Sequence, residues 1–164
     1  MSRETLNLKK ILLVEDNFND IELALEALSE ENLGDRVVVA NDGVEAMEYL
    51  LYQGKYLERR KENPAVIFLD IKMPRMDGME VLQMVKGNPE LKTIPVVMLT
   101  SSREEKDLQR CYEQGVNAFV VKPVGFNDFL NAVKQLGIFW VLLNELPIDG
   151  GLKYEQDQFK SSIA

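Results

Sequence analysis

The chain has no histidine and only one cysteine among its 164 residues. Without histidine it cannot build a Ser-His-Asp or Cys-His relay, a His-ligated zinc site or a phosphohistidine of its own. A lone cysteine, Cys111, allows no internal disulfide, and its Asp107-Leu108-Gln109-Arg110-Cys111-Tyr112 setting reads as an ordinary helix in which the thiol packs. That usage fits a reducing cytoplasm. The opening Met1-Ser2-Arg3-Glu4-Thr5-Leu6-Asn7 lacks the apolar core of a secretory signal, and no apolar run reaches membrane-spanning length. Positive charge is also in deficit. A formal net charge of −8 and a pI of about 4.7 repel polyanions, which argues against nucleic acid or an anionic membrane as the main partner. Chemistry is left to carboxylates, hydroxyls, lysine and a hard cation.

What is present is organised around Val66-Ile67-Phe68-Leu69-Asp70, an apolar run that stops at a carboxylate and is followed by Lys72-Met73-Pro74-Arg75-Met76-Asp77-Gly78. Branched and aromatic residues closed by Pro and Asp-Gly turn signals predict a buried strand with Asp70 at its C-terminal end. The plainer alternative makes Asp70 a turn former. Further strands are predicted over 9–14, 36–40, 95–99 and 118–121. Helices are predicted from Asn17 or Asn19 to about Asn32, from Gly43 onward, over 78–86, over 103–114 with Gly115 closing it, and over 126–143. The second helix is expected to run on through Tyr52 to Arg60, bent near Gly54, until Asn63-Pro64 stops it.

Five strand-helix units without a long connector imply an α/β, doubly wound parallel sheet with right-handed crossovers, ordered 2-1-3-4-5. The length suits one domain: residues 7–143, with 144–164 as an extension that packs on the domain or on a dimer partner.

In that order the strand mouths hold Glu15 and Asp16, then Asp70, Thr100 and Lys122, and ligands of open α/β sheets bind at such mouths. Taken singly each has a plain reading: helix-dipole acids, a cap, a solvated strand end. Together they form a site. Three crowded carboxylates raise one another's pKa unless a cation neutralises them, and all-oxygen ligands suit Mg²⁺, with Mn²⁺ as a substitute. A metal, a hydroxyl and an ammonium around a carboxylate can receive a phosphoryl group: Asp70 as nucleophile, Lys122 offsetting charge, Thr100 hydrogen-bonding an oxygen.

Glu15-Asp16, Asp70 with Met73-Pro74 and Met76-Asp77-Gly78, Thr100, and Phe119-Val120-Val121-Lys122-Pro123 resemble a response-regulator receiver domain of two-component signalling, a flavodoxin-like fold. The resemblance covers about 9–143. It implies that Asp70 accepts a phosphoryl group from the phosphohistidine of a sensor histidine kinase, with the metal held by Asp16, Asp70 and the backbone carbonyl of Lys72. It implies a cis Lys122-Pro123 bond and a switch pair, Thr100 and Phe119. Lys72 and Ser102 occupy the positions that tune dephosphorylation, and neither can orient a water as a carboxamide or carboxylate would, so a long-lived aspartyl phosphate is expected.

Only residues 144–164 follow the last helix, so the expectation is a single-domain regulator that acts by binding: to a histidine phosphotransfer protein, another partner, or itself. The extended second helix and the aromatic C-terminal run are similar to single-domain regulators paired with cyanobacterial phytochromes, which makes a phytochrome the candidate kinase. Ile138 to Leu143 is apolar on nearly every face, which predicts a homodimer through helix 4, strand 5 and helix 5 with Phe139, Trp140 and Leu143 at the interface. The alternative folds the tail back over Trp140.

Two other classes fit less well. A dehalogenase-like phosphatase resembles D-x-D, whereas position 72 is Lys, so the chain is expected to be a phosphoacceptor and not an enzyme acting on outside substrates. A dinucleotide site would need glycines where Glu15-Asp16-Asn17 stands.

Overall fold

The computed structural model describes residues 8–148. Five short apolar runs, Ile11–Val14 (β1), Val37–Ala40 (β2), Val66–Leu69 (β3), Val96–Thr100 (β4) and Ala118–Val121 (β5), pair in parallel as one sheet ordered β2-β1-β3-β4-β5. The helices Phe18–Glu30 (α1), Gly43–Leu50 (α2), Gly78–Gly87 (α3), Glu105–Glu113 (α4) and Phe126–Gly137 (α5) alternate with them. This is the expected doubly wound architecture. Strands β1, β3 and β4 are buried at every position, which is why they read as unbroken apolar runs.

Side chains alternate across the sheet and build two cores. Leu12, Val14, Ile67, Leu69, Val96 and Met98 face α2 and α3, packing with Met47, Leu82 and Val85, and Cys111 of α4 is buried in the same cluster. Ile11, Leu13, Val66, Phe68, Val97 and Leu99 face α1 and α5, packing with Ala24, Leu28, Phe129 and Val133. The side chains of Asn17, Asp42 and Asp77 cap α1, α2 and α3, accepting from the N–H groups of Asp20, Glu45 and Glu80 at 3.1, 2.8 and 2.9 Å.

Two helices differ from expectation. α2 does not run on to Arg60: it ends at Leu50, with Tyr52 in the left-handed region (φ 57°) and the N–H of Gln53 bonded back to Glu48 O at 2.8 Å. That is a Schellman closure with tyrosine where glycine is usual. The Arg59 guanidinium holds it there, stacking 3.9 Å from the Tyr49 ring and 4.2 Å from the Tyr52 ring and donating twice to Tyr49 O. The last helix is α-helical only to Gly137 and continues over Ile138–Leu143 as a π-helix. Of the expected extension over 144–164, all beyond 148 lies outside the described residues.

The start of α3 is pressed onto the sheet. A Cβ at Gly78 would lie 2.0 Å from Asp70 O, while one at Gly87, the last residue of the same helix, would meet nothing within 4 Å. Gly78→Ala should therefore cost about 1–3 kcal/mol in urea unfolding, and Gly87→Ala should gain about 0.5–1 kcal/mol. Equal effects at the two positions would contradict this packing.

Candidate functional site

The sheet register builds the site. Val14 lies level with both Ala40 and Leu69, and the ladder extends one residue further: Glu15 N–H donates to Ala40 O at 3.0 Å and Asp70 N–H to Val14 O at 3.1 Å. Glu15 and Asp70 therefore emerge side by side. On the other flank Thr100 pairs with Val121, and Lys122 N–H donates to Thr100 O at 2.8 Å. By strand alternation Glu15, Asp70 and Lys122 continue the face that carries α1 and α5. Thr100 and Phe119 continue the opposite face, where Phe119 packs half-buried against the α2/α3 core.

Carboxylate oxygens of Glu15, Asp16 and Asp70 all lie within 4.8 Å of one another, with Glu15 and Asp70 buried and Asp16 exposed. Lys122 Nζ reaches into this group, 2.7 Å from Glu15 Oε2, 2.9 Å from Asp20 Oδ2 and 3.4 Å from Asp70 Oδ2. Asp70 Oδ1 also accepts from Ile71 N–H at 2.8 Å, and Glu15 Oε1 from Asn17 N–H at 3.0 Å. Burial pushes the Glu15 carboxyl up to about 7, with the Asp70 charge adding to it, against the hydrogen bonds from Lys122 and Asn17. Burial alone would lower the Lys122 ammonium. Its hydrogen bonds to Glu15 and Asp20, with the charges of Glu15 and Asp70, outweigh that and hold it above the usual lysine range.

The β3–α3 loop is braced across the mouth. Arg75, itself at φ 66°, pairs bidentately with Asp42 at 2.7 and 3.1 Å, and Gly43 N–H donates to Met76 O at 3.1 Å. Lys72 sits on this loop with its side chain exposed. Thr100 is 1% exposed and its hydroxyl accepts from Ser102 N–H at 3.2 Å. The Ser102 hydroxyl in turn donates to Asp107 at 2.6 Å, tying the end of β4 to α4.

The structure brings together Glu15, Asp16, Asp70 and Lys122, which the sequence reading named, and adds Asp20, which it did not. The only signal for Asp20 is an acid in the first turn of the helix that follows the acidic pair. The expected cis Lys122-Pro123 bond is trans, the isomer that X-Pro bonds ordinarily prefer, and Lys122 reaches the carboxylates from it. The proposed interface residues separate: Phe139 and Leu143 are 48% and 68% exposed, whereas Trp140 is half-buried against the α1/α5 core with Leu146, its ring edge-on to Phe139. Among the described residues no helix is long and apolar enough to cross a membrane.

The donor set is all oxygen, part buried and part open to solvent, and burial, with the Asp70 charge beside it, holds the Glu15 carboxyl up to about 7. That fits a hard divalent cation such as Mg²⁺ or Mn²⁺.

Comparison with known proteins agrees. The response regulator receiver domain model matches residues 11–134. Rcp1, a response regulator of Synechocystis sp., is 39% identical over 147 residues, covering 90% of this chain and 99% of Rcp1. The solved Mn²⁺-bound form of Rcp1 is 38% identical with a TM-score of 0.79, covering 85% of this chain and 99% of that one. The phosphorylated cyanobacterial phytochrome response regulator RcpA is 40% identical with a TM-score of 0.80, covering 86% and 99%. The bacteriophytochrome response regulator AtBRR is 60% identical with a TM-score of 0.68, covering 85% and 99%. With the strand-mouth carboxylates, the lysine and the sheet order all in place, the chain belongs to the response-regulator receiver domain family, whose members accept a phosphoryl group on aspartate from a histidine kinase.

Proposed function

We propose that this chain accepts the phosphoryl group on Asp70 and signals by binding other proteins. The observation that carries the reading is Asp70 itself: a carboxylate 7% exposed at a strand mouth, with Lys122 Nζ 3.4 Å away and two further carboxylates beside it. An Asp70 oxygen forms the new bond to phosphorus as the phosphorus–nitrogen bond of the donor phosphohistidine breaks, and the imidazole leaves. Lys122 offsets the charge on the transferred group, and Thr100 turns its hydroxyl from Ser102 N–H toward it, with Phe119 following on the same face of the sheet. Glu15, Asp16, Asp70 and the backbone carbonyl of Lys72 form the cradle for a divalent cation, Mg²⁺ or Mn²⁺, which supplies countercharge to the phosphoryl oxygens when bound.

Residues 72 and 102 offer no group to orient a hydrolytic water, and the Ser102 hydroxyl is engaged by Asp107. The aspartyl phosphate is therefore long-lived, and the chain is not a turnover enzyme for outside substrates. The likeness to RcpA and AtBRR supports a phytochrome as the kinase, and a histidine phosphotransfer protein is a further partner of the same chemistry. The setting is cytoplasmic. Exposed Phe139, Leu142 and Leu143, together with the half-buried edge strand β5, support a homodimer through α4, β5 and α5 with the residues after 143 assisting.

Incubation with Mg²⁺ and a small acyl phosphate should add one phosphoryl group by intact mass, and Asp70→Asn should take none; labelling of both proteins would refute the assignment. Phe139→Ser with Leu143→Ser should lower the molar mass in solution to that of one chain, and an unchanged mass would remove the proposed dimer.

The cation has its own pH signature. Without it Glu15 binds its proton more tightly folded than unfolded, so its contribution to stability is complete below pH 4.5 and is lost as pH rises through about 7. A cation held by ionised carboxylates releases that proton on binding. The rise in thermal midpoint produced by saturating Mg²⁺ should accordingly be larger at about pH 8 than at about pH 6, and an equal rise at both would contradict the cradle.

A further inference from the structure

Lys122 is the charge a phosphoryl group on Asp70 would recruit, yet its two shorter contacts are to other carboxylates. Its ammonium lies 2.7 Å from Glu15 and 2.9 Å from Asp20, against 3.4 Å from Asp70. Glu15 belongs to the buried pair at the sheet centre. Asp20 does not: it stands in the first turn of α1, with its side chain 28% exposed while that of Lys122 is 9% exposed. The Asn17 side chain caps the backbone N–H of Asp20 at 3.1 Å, so the position of this carboxylate is fixed by the start of the helix. A flexible four-carbon stem joins the ammonium to β5, so moving it between neighbouring carboxylates needs no backbone change.

We propose that Asp20 is a positioning residue that draws the Lys122 ammonium toward α1 in the unphosphorylated protein, so that a phosphoryl group on Asp70 must compete with Asp20 for it. The proposal rests on Asp70 as phosphoacceptor and adds a residue outside the metal cradle to the same chemistry. It also links the site mechanically to α1. Anything that shifts the first turn of that helix changes how readily Lys122 is released. If Asp20 were only an acid suited to the helix dipole, its removal would lower stability and leave Lys122 where it is.

The test uses beryllofluoride as the phosphoryl mimic, at saturating Mg²⁺, with two readouts. The first is affinity. Asp20→Asn keeps the shape, removes the charge and should bind beryllofluoride about 1.5- to fivefold more tightly than the parent, the range for one partly exposed ion pair. The second is the Lys122 Cε–Hε resonance in lysine-labelled protein, assigned by its absence in Lys122→Met. It should move in ligand-free Asp20→Asn, which a purely structural role for Asp20 would not produce. An unmoved resonance, or unchanged affinity, overturns the proposal. So does a gain in affinity that persists when Asp20→Asn is combined with Lys122→Met, because Asp20 would then act through its own charge. Failure of the underlying reading looks different: Asp70→Asn would bind beryllofluoride as the parent does, or the parent would not bind it at all.

Discussion

One ammonium among four carboxylates is the interaction on which the structure of this site depends. Glu15, Asp16, Asp20 and Asp70 meet at the mouth of the sheet, and Lys122 is hydrogen-bonded to three of them. A single positive charge cannot neutralise that group, and the residue is visible in Glu15, whose carboxyl is held up near neutrality by burial and by Asp70. The imbalance is the functional feature. It suits the mouth to a divalent cation, which would offset the charge of a phosphoryl group that the carboxylates alone would repel.

The fold sets this arrangement through strand parity. Because each ladder continues one residue beyond its strand, Glu15, Asp70 and Lys122 emerge on the α1/α5 face, where Asp20 of α1 joins them. Thr100 and Phe119 lie on the opposite face with the α2/α3 core. The groups proposed to hold the phosphoryl charge and those proposed to report it thus belong to different layers of the sheet. The end of β4 is joined to β5 by the Lys122 N–H bond to Thr100 O and to α4 by the Ser102–Asp107 hydrogen bond. The Arg75–Asp42 pair and the Gly43–Met76 hydrogen bond clamp the β3–α3 loop to α2, so the cradle is held from the other flank as well.

Much of this was legible in the chain because strand-end residues follow directly from where apolar runs stop. Val66 to Leu69 followed by Asp70, and Ala118 to Val121 followed by Lys122, leave little freedom once the sheet order is set by regular alternation. The same reasoning could not see Asp20. A helix-start acid has no periodic signature, and its role depends on the direction in which Lys122 points. Local closure was also beyond pattern reading: Tyr52 ends α2 in a left-handed conformation that stacking by Arg59 sustains, and nothing in the tyrosine itself announces it. The apolar run 138–143 exceeds what one helical stripe needs. The run winds as a π-helix with Trp140 packed on the core and Phe139 and Leu143 exposed.

The claim that everything above serves is that the phosphoryl group resides on Asp70 and on no neighbouring carboxylate. Borohydride reduction of the freshly phosphorylated protein converts an aspartyl phosphate to homoserine, which peptide mass spectrometry locates to a residue. Homoserine at position 70 alone is the expected result. Homoserine at 16 or 20, the 5-hydroxynorvaline that a glutamyl phosphate would leave at 15, or no reduced residue anywhere in a protein that has gained the phosphoryl mass, would contradict the account.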